Sequence, residues 1–111
     1  MKFYVYITTN PNRDAFYVGM TNNLQQRIIE HYLNRGNPET HAGKYFCYNV
    51  VFYEEYQYVD KAIAREKEIK KWRREKKETL MSSFNPGWRI LNKELFGEWP
   101  LPEEELVHRK D

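Results

Sequence analysis

The residues that most restrict how this chain can fold are 17–31, where an extended run, Tyr17-Val18, reaches Gly19 and then gives way to helical spacing. Leu24, Ile28 and Tyr32 recur at i, i+4 and i+8, which predicts a helix over about residues 24–33 with an apolar stripe turned towards a sheet. Gly19 gives the backbone freedom to leave the sheet. Thr21, Asn22 or Asn23 can cap the helix by accepting a backbone N–H bond. Arg27 and His31, also four residues apart, fall at the edge of the stripe, so they lean over the sheet rather than away from it.

Residues 2–9 alternate and are rich in Tyr, Val, Ile and Phe, which suits a strand with one buried face. After the turn cluster at residues 10–14, residues 15–19 resume the pattern, so the two segments should pair as an antiparallel hairpin. In such a hairpin Tyr6 and Tyr17 can be neighbours on one face. Residues 34–44, with Gly36, Pro38 and Gly43, read as a loop that either orders on a ligand or stays mobile. Residues 45–56 make a strong third strand. Asp60 is placed to cap a helix over about residues 61–72, and a further helical stretch runs to Phe84 before Asn85-Pro86-Gly87 stops it. The expected class is α+β: a three-stranded antiparallel sheet flanked by helices, in the order strand, strand, helix, strand, helix, helix.

A chain of 111 residues is long enough for one core and too short for two. Its charge is unevenly spread. Residues 1–90 hold 15 Lys/Arg against 10 Asp/Glu, and residues 91–111 hold 3 against 6. We therefore expect a basic domain over 1–91 and an acidic extension over 92–111. The extension's first half, with Phe96, Trp99 and Leu101, should pack on the body, and its last ten residues should be frayed. Within residues 61–77 nine basic side chains face three acidic ones, enough local potential to attract a polyanion, although many such runs are only solvated helix faces.

The lone Cys47 excludes an internal disulfide and reads as a buried small hydrophobe on a strand, and His31, His41 and His108 are too scattered for a zinc site. With no apolar signal region and no membrane-length run, the expected setting is cytoplasmic, with no membrane partner. Glu66 is the unusual acid. Projected at about 100° per residue, Val59, Ala62, Ile63 and Ile69 gather on one helix face with Glu66 in its middle. An inward carboxylate needs a cation, a donor network or a metal ion, so a salt bridge to Arg27 or another base stands beside metal binding.

Taken together, Tyr4-Val5-Tyr6, Tyr17-Val18-Gly19, Arg27, His31 and Glu66 resemble the GIY-YIG endonuclease domain in their order. They also match it in the ten- and fourteen-residue steps from Tyr17 to Arg27 and His31. The resemblance continues through residues 51–55, 62–74 and 85–89, is similar to the small free-standing bacterial members, and covers about residues 2–91. It implies hydrolysis of DNA phosphodiester bonds, with RNA not excluded, using one weakly held Mg²⁺ or Mn²⁺ ion, in a setting such as DNA repair or recombination. By position, Tyr6 or Tyr17 would deprotonate or orient the attacking water, Arg27 would stabilise the phosphate, and His31 fills a site that is His or Tyr in relatives. Glu66 would hold the metal, and Asn85 matches an asparagine that helps position the site. Lys67, Lys70, Lys71, Arg73 and Arg74, with Lys76 and Lys77, would grip the backbone.

A phenol titrating near pH 10 is a poor base at neutral pH, and nearby Arg27, lysines and metal would favour its charged form. Two positions depart from the family pattern: Tyr4 replaces the glycine of the first motif, and Met20 replaces a lysine found after the second motif in some relatives. Two other classes of function fit the sequence. One is a nucleic-acid-binding module that keeps the fold without useful turnover. The other is a protein-interaction domain in which Tyr6, Tyr17 and Glu66 are core and ion-pair residues.

Overall fold

In the structure, a computed structural model, the backbone is described for residues 1–110 and the side chains for residues 1–106. Strand β1 (Phe3–Thr9) is buried at five consecutive positions from Val5 to Thr9. A strand covered on both faces belongs in the middle of a sheet. β2 (Phe16–Thr21) and β3 (Asn49–Tyr56) flank it, both antiparallel, giving the order β2-β1-β3. The hairpin and three-stranded sheet are those expected. The third strand starts later than expected, because Phe46 takes a positive φ of 58° and breaks the extended run; Cys47 is buried, but in the turn before the strand.

Alternation along β1 sorts the core into two layers. Val5 and Ile7 join Val18, Val51 and Phe52 on one face, covered by Ala62 and Ile69 of α3 (Val59–Lys71) and Met81 of α4 (Arg74–Phe84). Tyr6 joins Val50 and Leu91 on the other face, covered by Leu24 and Ile28 of α1 (Leu24–Leu33). Asn23 caps α1, its side-chain oxygen accepting from the Gln26 N–H at 3.0 Å. Asp60 is not a cap: α3 begins at Val59, which leaves Asp60 in the first turn, where its charge still suits the helix dipole.

Three helices add to the expected order. α2 (His41–Lys44) forms between α1 and β3, while α5 (Asn92–Phe96) and α6 (Glu103–Lys110) lie beyond α4. The first half of the extension packs on the body as expected. Leu91 N–H donates to the Val50 carbonyl at 2.8 Å, and buried Asn92 accepts from Val50 N–H at 2.7 Å and donates to Tyr48 O at 3.0 Å. Of the last ten residues, expected to be frayed, Glu103–Lys110 instead form α6. Leu101 and Leu106 bury Ile29 on the far side of α1, so the apolar surface of α1 wraps further round than the Leu24-Ile28-Tyr32 stripe. The part of that expectation that concerns side chains 107–110 and residue 111 lies outside the described residues.

Candidate active site

Gly19 lies inside β2, opposite Tyr6, and the chain leaves the sheet only after Thr21. Gly19 is needed for space: a Cβ here would sit 2.5 Å from the Tyr6 hydroxyl oxygen and 2.8 Å from a ring carbon of Tyr17. Without that atom the Tyr6 phenol lies across β2. Tyr17, opposite Thr8 and diagonal to Tyr6, projects from the same face, and the two ring centres are 6.2 Å apart.

Helix α1 closes over this pair. His31 is buried 5.0 Å from the Tyr17 ring centre, and its Nε2 shares a 2.7 Å hydrogen bond with the Tyr6 hydroxyl. Burial, with the Arg27 charge adding to it, lowers the His31 pKa to about 4, so the imidazole is neutral at pH 7. Burial also raises the Tyr6 pKa, helped by neighbouring Tyr17 and opposed by Arg27. The expectation that nearby cations favour a phenolate is therefore overturned at Tyr6, because desolvation outweighs the guanidinium. Arg27 stays cationic against its own burial through Tyr6, Glu30 and Tyr17, and Glu30 accepts from it at 3.1 Å.

Tyr6 is fully buried, whereas Tyr17 is half-buried and lines a cleft of about 460 Å³ together with Arg27, Glu30, His31, Thr40 and His41. The far wall of this cleft comes from residues 34–44, which are ordered by their own side chains. Thr40 caps α2 by accepting from Gly43 N–H at 3.0 Å and accepts from Asn34 Nδ2 at 3.2 Å, and Gly36 N–H donates to the Gly43 carbonyl at 2.8 Å. His41 donates from Nε2 to the Phe16 carbonyl at 3.2 Å on the edge strand β2, since a carbonyl can only accept. Sequence reasoning misses His41 as a cleft residue. The signal is Thr40 three residues before Gly43, a cap paired with a position where a Cβ would lie 2.6 Å from the Thr40 hydroxyl.

Glu66 approaches from the other layer. Its charge is felt at Tyr6, but its side chain keeps 22% of its exposure and its ionic partner is Lys70 at 3.5 Å, not Arg27. The projected apolar face is corrected as well. Only the Ala62–Ile69 line meets the sheet, while Val59 and Ile63 are exposed, so Glu66 sits at the margin of the buried stripe.

Asn85 is buried away from the cleft. It donates to Val51 O at 3.1 Å and Arg89 O at 2.7 Å and accepts from Arg89 N–H at 3.2 Å, pinning the turn after α4 to β3. Lys67, Lys71 and Arg73 are exposed, and Lys70 is turned to Glu66. Arg74 differs from these four cations in reaching a hollow. It lines that hollow with Lys77, donates to the Asp14 carbonyl at 2.8 Å, and lies over the Phe16 ring. Tyr4 packs beside Tyr6 under α1, and Met20 lies half-buried against the Val5–Ile7 layer.

No helix among the described residues is long and apolar enough to cross a membrane. Comparison with curated proteins gives no match. Among solved structures, the solution NMR structure of the UPF0213 protein BH0048 from Bacillus halodurans is similar. It has a TM-score of 0.51 and 26% identity over 84% of this chain and 96% of that one. The GIY-YIG catalytic domain matches residues 2–79, the span that holds both tyrosines, Arg27, His31 and Glu66, and by that match this chain belongs to the GIY-YIG family of nuclease domains.

Proposed function

We propose that this protein is a divalent-metal-dependent endonuclease that hydrolyses DNA phosphodiester bonds in the cleft between α1, α2 and β2. The observation that carries the reading is the division of labour between the tyrosines. Tyr17 faces the cleft beside a permanent cation, whereas Tyr6 is sealed behind it and bonded to a neutral imidazole. Tyr17 then orients the attacking water and takes up its proton once its own hydroxyl proton has passed to solvent through the open cleft. Arg27 interacts with both phenols and lines the same cleft, and stabilises negative charge on the pentacoordinate phosphate. Tyr6 and His31 hold the Tyr17 ring in place and keep bulk water off its inner side.

Glu66 is the residue that would hold Mg²⁺ or Mn²⁺. The described residues contain no cluster of three acidic, His or Cys ligands, and Glu66 is a partly exposed carboxylate held only by a flexible lysine, which suits a hard ion bound mainly through water and substrate. When bound, the ion would offset charge developing on the leaving oxygen. Asn85 supports the site indirectly, through the backbone of β3. The setting we assign is cytoplasmic.

The test is cleavage of labelled single-stranded, duplex and branched DNA with Mn²⁺ by the wild type and by Glu66→Ala, once both are shown to be folded. Metal-dependent cutting that disappears in Glu66→Ala supports the reading. A folded wild type that binds DNA and cuts none of these substrates overturns it in favour of a binding module.

A further inference from the structure

Beside the Tyr17 cleft lies a second, open hollow of about 290 Å³, lined by Ala15, Phe16, His41, Tyr45, Arg74 and Lys77. His41 borders both hollows, so they adjoin beside the edge strand β2. Tyr45, one of several exposed aromatics, keeps 44% of its surface open and is the one that lines this hollow. It is not loose: its centre is 4.9 Å from the His41 ring, and His41 is tied to the Phe16 carbonyl. Opposite stand two cations from α4. Arg74 lies over Phe16 and against the Asp14 carbonyl, with Glu78 3.5 Å from its Nε, and Lys77 lies one helical turn on.

A rigid, exposed aromatic face set across from two cations is suited to a ligand with a flat π surface joined to an anion. A purely apolar peptide would make no use of the Lys77 charge or of Arg74, whose carboxylate partner is Glu78 at 3.5 Å, and a bare anion would make no use of Tyr45. A nucleotide unit matches both features, the base stacking on Tyr45 and its phosphate meeting Arg74 and Lys77. In a continuous duplex the base faces are already stacked on their neighbours and are not available to a side chain. We propose that this hollow binds an unpaired nucleotide next to the phosphate held in the Tyr17 cleft, and so directs the protein to single strands and to duplexes with single-stranded overhangs. This rests on the nucleic-acid reading of the neighbouring cleft and names the substrate class that cleft receives.

The experiment is fluorescence anisotropy in EDTA, so that no strand is cut, using a labelled single strand, a blunt duplex, and the same duplex with an overhang. The wild type should bind the overhang duplex and the single strand more tightly than the blunt duplex. Tyr45→Ala should weaken those two complexes by roughly ten- to a hundredfold while moving blunt-duplex binding by no more than about twofold. Tyr45→Trp, which keeps a stacking face, should bind near the wild-type level, and Lys77→Gln should flatten the salt dependence. Equal wild-type affinity for blunt and overhang duplexes, or a folded Tyr45→Ala that weakens all three DNAs alike or none, overturns the proposal. The two readings fail separately. A protein that selects overhangs through Tyr45 yet never cuts contradicts the nuclease assignment alone, and one that cuts DNA with unchanged preference in Tyr45→Ala contradicts this inference alone.

Discussion

The two faces of the sheet are made by alternate residues of the same strand and are built on opposite terms. Val5 and Ile7 point into hydrocarbon under α3 and α4, a layer that needs no directed bonds. Tyr6, one residue away, points into a layer where a phenol and an imidazole are buried together, satisfy one another, and lie beside a half-exposed guanidinium. The first layer gains stability from area removed from water. The second holds polar groups in fixed positions at a desolvation cost, visible in the raised Tyr6 and lowered His31 pKa values. Stability and chemistry are thus separated by the two-residue period of a strand.

Substitutions on each face should therefore fail differently. Ile7→Ala, on the hydrocarbon side, should cost about 2–5 kcal/mol of stability in denaturant titrations, while the protein that remains folded cleaves at the wild-type rate. Arg27→Ala, on the polar side, should lower the cleavage rate by roughly 10²–10³. Its effect on stability should stay below about 1 kcal/mol, since its partner Glu30 is an exposed surface pair. If Ile7→Ala destroys activity at full folding, the separation of the two layers is wrong.

The pH dependence of stability sharpens the same contrast. The folded His31 pKa of about 4 lies below the ordinary 6.5, so between these values the unfolded chain binds a proton that the native site refuses. The stabilisation is therefore complete above pH 6.5 and is lost as pH falls towards 4. It amounts to roughly 3 kcal/mol at most. His31→Gln should flatten that part of the stability profile. Gly19→Ala should cost about 1–3 kcal/mol from overpacking against the Tyr6 hydroxyl, with slower cleavage as Tyr6 shifts from His31.

What can be read from the sequence depends on how local each cause is. The hairpin, the capped helix α1, the pairing of Tyr6 with Tyr17 and the lean of Arg27 and His31 depend on period and register, and both are written in short stretches. The role of Gly19 is easily misread because a missing Cβ looks the same in sequence whether it frees a turn or makes room for a ring. Glu66 is placed too deep by a helical projection, which shows which residues share a face but not how wide a strip of that face the sheet covers. His41 and α2 escape because their order comes from Asn34, Thr40 and Gly36 bonding across a loop. The helix at the end of the acidic extension escapes because its stability comes from Leu101 and Leu106 meeting Ile29, a contact between distant parts of the chain.

The central claim is that Tyr17 meets the substrate while Tyr6 supports it from behind. Its most direct test is the single-turnover cleavage rate of Tyr17→Phe and Tyr6→Phe with Mn²⁺, paired with the stability of each. The account predicts that Tyr17→Phe loses roughly 10² or more in rate with little change in stability. It predicts that Tyr6→Phe keeps more activity but loses about 1–3 kcal/mol by leaving His31 Nε2 without its buried partner. A Tyr17→Phe protein that cuts at the wild-type rate, beside a stable Tyr6→Phe protein that does not cut, would contradict it.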